Sequence, residues 1–215
     1  MAKDSAAKKV YGLIGYPVKH SFSPAMHNAA FCALGINAEY RLFEVLPERL
    51  EKFLLDPEEK FDDINHDSVR AGDVWGFNIT IPHKIKAREI LEREFPFDKN
   101  ADIMEMDLYY VKVSGAVNTV KRVGNKLEYR NTDAEGFLRS LKEDLTFDAK
   151  VENVLISGSG GAGSAIIAAL SWKNPAINNL SIDNIFIYDV SNKAMDSAKS
   201  RFEKLQYVMD KVKFI

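Results

Sequence analysis

An α/β fold in two units is what this chain predicts. Three observations carry the expectation. Short β-rich apolar runs alternate along the whole length with runs whose apolar residues recur at helical spacing. A strand–helix–strand order of this kind implies a mostly parallel sheet covered by helices. A glycine-rich turn, ISGSGGAGSA, joins one such strand to one such helix, and the chain changes character near Asp133.

In chain order, VYGLIG reads as a strand. SPAMHNAAFCALG reads as a helix, with Ser23 as its cap, Pro24 in the first turn and Gly35 as its stop. AEYRLFEV is a strand and PERLEKFLL a helix. The stretch LDPEEKFDDINHDSVRAGD is polar and turn-rich, so a loop or insertion is expected there. VWGFNIT is a strand, and a helix follows from Pro82 through KIKAREILERE. GAVNTVKRVGNKLEYRNTD reads as a hairpin turning at Gly124-Asn125, and AEGFLRSLKEDL as a helix begun at an Asp133 cap. The rest alternates: strand VENVLISG, glycine turn, helix AGSAIIAALSW, strand NIFIYDV, one long helix NKAMDSAKSRFEKLQYVMD, and a strand starting in KVKFI.

Composition narrows the function classes. A net charge of −2 gives no electrostatic case for nucleic acid or an anionic membrane as partner. The single cysteine, Cys32, forms no internal disulfide, suits a reducing compartment, and reads as part of an apolar helix face. The charged N-terminal stretch lacks a signal-peptide core and no apolar run reaches membrane-spanning length, so a soluble cytoplasmic protein is expected. No His/Cys/carboxylate group has metal-ligand spacing, and no metal is expected.

Gly158, Gly160 and Gly163 stand in G-x-G-x-x-G spacing between an apolar strand and an apolar helix. Gly158 permits the sharp turn, Gly160 lets backbone approach a pyrophosphate, and Gly163 lets helix and strand pack closely. Asp189 ends the next strand, where a carboxylate accepts from ribose hydroxyls and disfavours a 2′-phosphate. Two alternatives stay open: a plain strand-to-helix turn, and an Asp189 that only caps the following helix in competition with Ser191 or Asn192.

A second set of polar residues precedes the turn. GFNITIPHK places Asn78, Thr80 and Lys84 around a strand end and a helix start; GAVNT supplies Asn118; RNTDAEGF supplies Asp133. Such positions are where α/β sheets hold ligands, and hydroxyls and amides with one lysine and one aspartate suit a small polyhydroxylated molecule. Each has a plainer reading as strand former, turn residue, cap or solvated lysine. A lysine in a first helical turn opposes the helix dipole at a cost of about 0.5 kcal/mol, which points weakly to another role.

Taken in order, GYPVKHSFSPAMHN, GFNITIPHK, GAVNTV, NTDAEGF and GSGGAGSA resemble the shikimate dehydrogenase family, its quinate/shikimate branch included. The resemblance runs from about Val10 to about Leu170 and more loosely through Asp189. It implies a mixed-sheet substrate domain over residues 1–132 and a Rossmann dinucleotide-binding domain, incomplete here, over 133–215. It also implies reversible reduction of 3-dehydroshikimate to shikimate with NAD or NADP, in aromatic amino-acid biosynthesis. On that resemblance, Ser21 and Ser23 bind the substrate carboxylate, and Thr80, Asn118 and Asp133 hold ring hydroxyls. Lys84 and Asp133 are the catalytic pair. The cofactor falls to Gly158, Ser159, Gly160, Gly161, Ala162, Gly163 and Asp189.

Two departures accompany the resemblance. The family's usual NADP-reading basic motif is replaced at Asp189, which leans toward NAD, although Lys193 nearby softens that preference. The chain also stops at Ile215, short of a segment that in the family carries a substrate-binding glutamine. An incomplete sheet exposes apolar edge and face, so a fragment, a truncated product, or a form relying on self-association such as a homodimer is expected. The competing expectations are a ligand-binding module without turnover, and a dehydrogenase of the methylenetetrahydrofolate type. The paired serines and GAVNT argue against the latter.

Overall fold

The computed structural model describes residues 7–98, 106–146, 150–171 and 182–215. The chain divides into two compact units, one of residues 1–96 and 118–129 and the other of residues 97–117 and 130–215. Each is described by itself.

The first unit opens with β1 (Lys9–Gly15), α1 (Ser23–Ala33) and β2 (Ala38–Glu44), followed by a 3₁₀ turn and α2 (Leu50–Leu55). Two short strands come next, β3 (Lys60–Asp62) and β4 (Ser68–Arg70), then β5 (Val74–Ile79) and α3 (Lys84–Glu94). In the second unit α4 (Met106–Ser114) precedes the return of the chain to the first sheet as β6 (Thr119–Val123) and β7 (Lys126–Arg130). The main sheet has the order β2-β1-β5-β6-β7. β1 runs parallel to both β2 and β5, with Leu13 opposite Asn78 and Ile14 opposite Ile79, whereas β5 and β6 are antiparallel. The sheet is therefore mixed.

Alternation along the strands divides the core between two faces. Phe43 and Phe77 pack on Phe53, and Phe53 also meets Phe61 edge-on at 4.9 Å. On the other face Leu13, Tyr40 and Leu42 form a smaller cluster with Val18, Tyr11 and Phe31. Burial on both faces explains why VYGLIG is apolar without alternating. Arg122 is tucked under the first face, donating to the carbonyls of Phe53, Leu54 and Val74. Burial pushes its guanidinium down to about 10.

In the second unit, after α4, lie α5 (Asp133–Arg139) with a π-helical extension to Asp144, β8 (Val151–Ser157) and α6 (Gly161–Ser171). Beyond the residues left undescribed come β9 (Ile182–Tyr188), α7 (Asn192–Phe202), α8 (Gln206–Met209) and β10 (Val212–Phe214). The strands form an all-parallel sheet in the order β10-β9-β8. α6 is the centre of this unit: every residue from Ile167 to Ser171 is buried, and α4 and α5 both pack against it. Its alanines permit the close approach, and Ile156, Ile185, Ile187 and Phe202 complete the core.

Several sequence expectations need correction. Ser23 is the first helical residue rather than the cap. Phe22 holds the cap position without a side-chain hydrogen bond, and Ser21 Oγ accepts from the Ser23 N–H at 3.2 Å. Likewise Thr132 is the cap of α5 and Asp133 its first residue, with the Asp133 N–H donated to Asn131 Oδ1. α3 begins at Lys84, two residues after Pro82. The expected loop contains the antiparallel β3–β4 pair, tied at its turn by Asp63, whose Oδ1 accepts from the N–H groups of Asn65 and Asp67. The long C-terminal helix is two, α7 and α8, separated by a turn at Glu203–Leu205. α4 has no counterpart in the sequence reading. Cys32 and its helix face are exposed, since α1 buries no residue. Trp172, expected at the end of α6, lies outside the described residues.

Candidate functional site

The parallel pairing of β1 and β5 brings their C-terminal ends to one edge of the first sheet. Thr80 N–H donates to Ile14 O at 2.9 Å, and Tyr16 N–H to Ile81 O at 3.1 Å. Gly15 is required here: a Cβ on it would collide with the Thr80 methyl and with Val18. From this edge leave two loops, one carrying Ser21 and Ser23, the other leading through Thr80 to Lys84. β6 runs the opposite way, so its start lies at the same edge, where Asn118 O accepts from Ile79 N–H at 2.8 Å. Ser21, Ser23, Thr80, Lys84 and Asn118, read separately from sequence, are thus gathered at the C-terminal end of one parallel pair, the usual ligand edge of such sheets.

Local bonds orient these side chains. Ser21 Oγ lies 3.0 Å from Ser23 Oγ and also takes the Ser23 N–H, so the two hydroxyls form one unit at the start of α1. Lys84 is the first residue of α3 and half-buried. Its neighbour His83 is buried, with Nε2 2.6 Å from Val45 O. A carbonyl only accepts, so Nε2 is the protonated nitrogen, and burial holds the imidazole below its usual pKa. His83 N–H bonds Thr80 O at 3.0 Å, closing the turn that delivers Lys84.

Behind Asn118 runs a line the sequence did not disclose. Tyr40 hydroxyl donates to Asn78 Oδ1 at 2.7 Å. Asn78 Nδ2 donates to Thr119 Oγ1 at 3.0 Å and to Asn118 O at 3.3 Å, and Thr119 Oγ1 donates to Asn118 Oδ1 at 3.0 Å. The amide of Asn118, itself buried, therefore has its oxygen engaged and its orientation fixed. Tyr40 and Thr119 were missed; the only signal was alternation in AEYRLFEV, which turns the Tyr40 ring inward with a polar tip in need of a partner.

Asp133 belongs to the second unit, half-buried at the start of α5. Asn131 just before it is buried and donates through Nδ2 to Ser114 Oγ and Ala116 O, which pins the approach to the helix.

The second unit also holds the glycine turn. Gly158 has φ of 108°, a conformation that side chains disfavour, and donates its N–H to Tyr188 O at 2.7 Å. A Cβ on Gly163 would strike the carbonyl of Gly158, so helix and turn pack as closely as sequence predicted. Gly160 is different. Its φ is unexceptional and a Cβ there would meet open space. Among the described residues nothing requires glycine at that place, which fits a backbone kept bare for a ligand phosphate at the start of α6. Gly161 and Ala162 form that first turn. The residues present therefore fit a dinucleotide.

Asp189 follows β9 and is bonded to the turn. Its Oδ2 accepts from Ser159 N–H at 2.7 Å and from Ser159 Oγ at 2.9 Å, and its Oδ1 accepts from Ser191 N–H at 2.9 Å. These bonds, the Ser159 backbone one foremost, hold the carboxylate below its usual pKa. The helix cap belongs to Ser191, whose Oγ accepts from Ala194 N–H. Among the described residues no group of His, Cys, Asp or Glu is arranged to hold a metal, and no helix is long and apolar enough to cross a membrane.

Fold and sites together define a mixed α/β protein with a ligand edge in its first unit and a Rossmann-type strand–glycine turn–helix in its second. Residues 13–120 match the family model of the shikimate dehydrogenase substrate binding domain. The chain is 39% identical to the shikimate dehydrogenase (NADP(+)) of Methanopyrus kandleri over 94% of its own length and 57% of that protein's. It is also 39% identical to that of Methanocaldococcus jannaschii, over 94% and 59%. Among solved structures, a shikimate dehydrogenase in complex with NADP+ superposes with a TM-score of 0.68 at 36% identity, over 96% of this chain and 61% of that one. The shikimate 5-dehydrogenase of Listeria monocytogenes, solved with shikimate and NAD, gives 0.70 at 26% identity, over 100% and 64%. The chain belongs to the shikimate dehydrogenase family. It spans between about half and three-fifths of the length of the curated relatives it matches.

Proposed function

We propose that this chain carries the catalytic and dinucleotide-binding residues of an NAD(P)-dependent shikimate dehydrogenase, reducing 3-dehydroshikimate reversibly to shikimate. The observation that carries the reading is the convergence of the Ser21–Ser23 pair, Thr80, Asn118 and Lys84 on one sheet edge, in a chain whose other unit holds a bare Gly160 at a Rossmann turn. The relatives' names and the bound shikimate, NADP+ and NAD of the solved neighbours support it.

Each residue has a chemical task. The paired hydroxyls of Ser21 and Ser23 hold the substrate carboxylate without an arginine. Thr80 and Asn118 hold ring hydroxyls, the latter with an amide preset by Asn78 and Thr119. The nicotinamide supplies or receives the hydride. Lys84 gives or takes the proton at the oxygen on the reacting carbon, acting as general acid/base, and Asp133 holds a substrate hydroxyl. Residues up to 132, with Asp133, serve the substrate, and the residues after it the cofactor. Asp189 in place of a basic motif favours NAD, and quinate, which shares the carboxylate and ring hydroxyls, is a second candidate substrate.

The test is a rate assay of purified chain with shikimate and with quinate, each with NAD and NADP, followed by reduced-nicotinamide absorbance. Turnover that falls by about 10²–10⁴-fold in Lys84→Ala, with shikimate binding retained by calorimetry, supports the reading. Turnover unchanged in that variant sinks it. Binding without any turnover in the wild type leaves a ligand-binding module instead.

A further inference from the structure

We infer that the Ser159 hydroxyl sets the cofactor selectivity of this chain by occupying part of Asp189. The inference rests on the proposed dinucleotide site and assigns a role within it that glycine spacing does not.

An ionised carboxylate offers about four acceptor positions, two on each oxygen. At Asp189 three are filled from within the protein. Ser159 takes both positions of Oδ2, one with its N–H at 2.7 Å and one with its hydroxyl at 2.9 Å, and Ser191 N–H takes one of Oδ1 at 2.9 Å. One position on Oδ1 is left. A carboxylate at the end of this strand selects NAD by accepting from adenosine ribose hydroxyls and repelling a 2′-phosphate. With Oδ2 saturated, Asp189 presents a single acceptor instead of a two-oxygen fork. The same three donors hold the carboxylate below its usual pKa, so the one acceptor position left is that of an ionised group.

The backbone that carries this hydroxyl is fixed as well. Ser159 is 4% exposed. Its carbonyl accepts from Ser164 Oγ at 3.0 Å, and Ser164 Oγ in turn accepts from Arg201 on α7. Its carbonyl bond makes the orientation of the turn part of the packing of α6 and α7. Its backbone N–H stays bonded to Asp189 whatever the side chain is, so the hydroxyl can be removed without unlatching the turn. Ser159 is in this sense a positioning residue that acts on the cofactor through Asp189.

The experiment is calorimetric titration of the purified full chain with NAD+ and with NADP+, in the wild type and in Ser159→Ala, with far-ultraviolet circular dichroism to confirm folding. Freeing one Oδ2 position restores the two-oxygen fork for the ribose hydroxyls that NAD+ keeps, so the ratio of the NADP+ to the NAD+ dissociation constant rises about 5–10-fold, comparable to one charge-assisted hydrogen bond. Ser159→Thr retains the hydroxyl and keeps the wild-type ratio. Ser159→Gly, which also lacks it, repeats the Ala result should Ala fold poorly. A ratio unchanged within twofold in both hydroxyl-free variants, or one that moves toward NADP+, overturns the inference while leaving the dinucleotide site standing. A purely structural Ser159 gives that outcome, because both affinities then fall together. A wild type that binds neither dinucleotide overturns the site, and the inference with it.

Discussion

Replacing Asn78 by Leu tests whether the line from Tyr40 to Asn118 is a working part of the first unit. Asn78 accepts from Tyr40 at 2.7 Å and donates to Thr119 Oγ1 at 3.0 Å and to Asn118 O at 3.3 Å. Leucine has the same branching at Cγ, with bulkier methyl groups, and removes all three bonds. The Tyr40 hydroxyl then loses its acceptor in a residue only 4% exposed, where leaving a polar group unsatisfied costs about 1–3 kcal/mol. Losing the bond to Thr119 adds about 1 kcal/mol. Asn118 O retains Ile79 N–H, so that loss is minor. The expected destabilisation is therefore about 2–4 kcal/mol, read from urea unfolding as a lower midpoint at unchanged slope.

Tyr40→Phe isolates the largest part. Alone it strips a donor from a half-buried amide that water can reach, at about 1 kcal/mol. In the double variant no Tyr40 hydroxyl is left unpaired, so the two losses do not add. A coupling of about 1–2 kcal/mol is expected in the cycle. Strict additivity within about 0.3 kcal/mol, or an Asn78→Leu loss below about 0.5 kcal/mol, refutes the line as a coupled unit. Shikimate titration of Asn78→Leu should show weakened binding as well, because Asn118 loses the Thr119 orientation that Asn78 maintains.

Three further outcomes follow from single positions. Gly163→Ala forces a Cβ against the Gly158 carbonyl, so the turn must shift, and calorimetry should show loss of dinucleotide binding with about 1–3 kcal/mol of overpacking strain. Phe53→Ala empties the centre of the Phe43, Phe61 and Phe77 cluster and should cost about 3–5 kcal/mol in urea unfolding. His83 and His27 are both held by burial below the ordinary histidine value of about 6.5, so the unfolded chain binds the protons more tightly. Stability is then full above that value and is lost as pH falls below it, by at most about 1.4 kcal/mol per pH unit per histidine. His83→Gln should reduce that slope, measured as unfolding midpoint against pH, and leave the His27 share.

Much of the molecule was legible in the sequence because its signals are local. Apolar β-rich runs and helical spacing marked β1, β2, β5, β8 and β9 with α1, α2, α3, α5 and α6 between them. Gly158 and Gly163 announced a turn whose geometry needs them. What failed was also local in cause. Ser23-Pro24 looked like a cap and first turn, but Ser21 already supplies the acceptor for the Ser23 N–H, so the helix starts a residue earlier than the pattern implies. MDLYYVKVS was overlooked because its helical moment is faint, and α4 owes its existence to packing on α6. The β3–β4 pair hides in polar sequence because Asp63 provides the turn bonds that apolar residues do not advertise.

The sequence by itself determined which residue types were available and their order: two hydroxyls before a helix, a lysine opening another, an amide in a small-residue strand, and glycines between strand and helix. Only the tertiary structure decided that β1, β5 and β6 end or begin at one edge, since strand pairing joins residues far apart in the chain. It alone turned the Tyr40 hydroxyl onto Asn78 and the Ser159 hydroxyl onto Asp189. Hydrogen bonds between distant residues follow from where the backbone carries their side chains, and no spacing in the sequence encodes that.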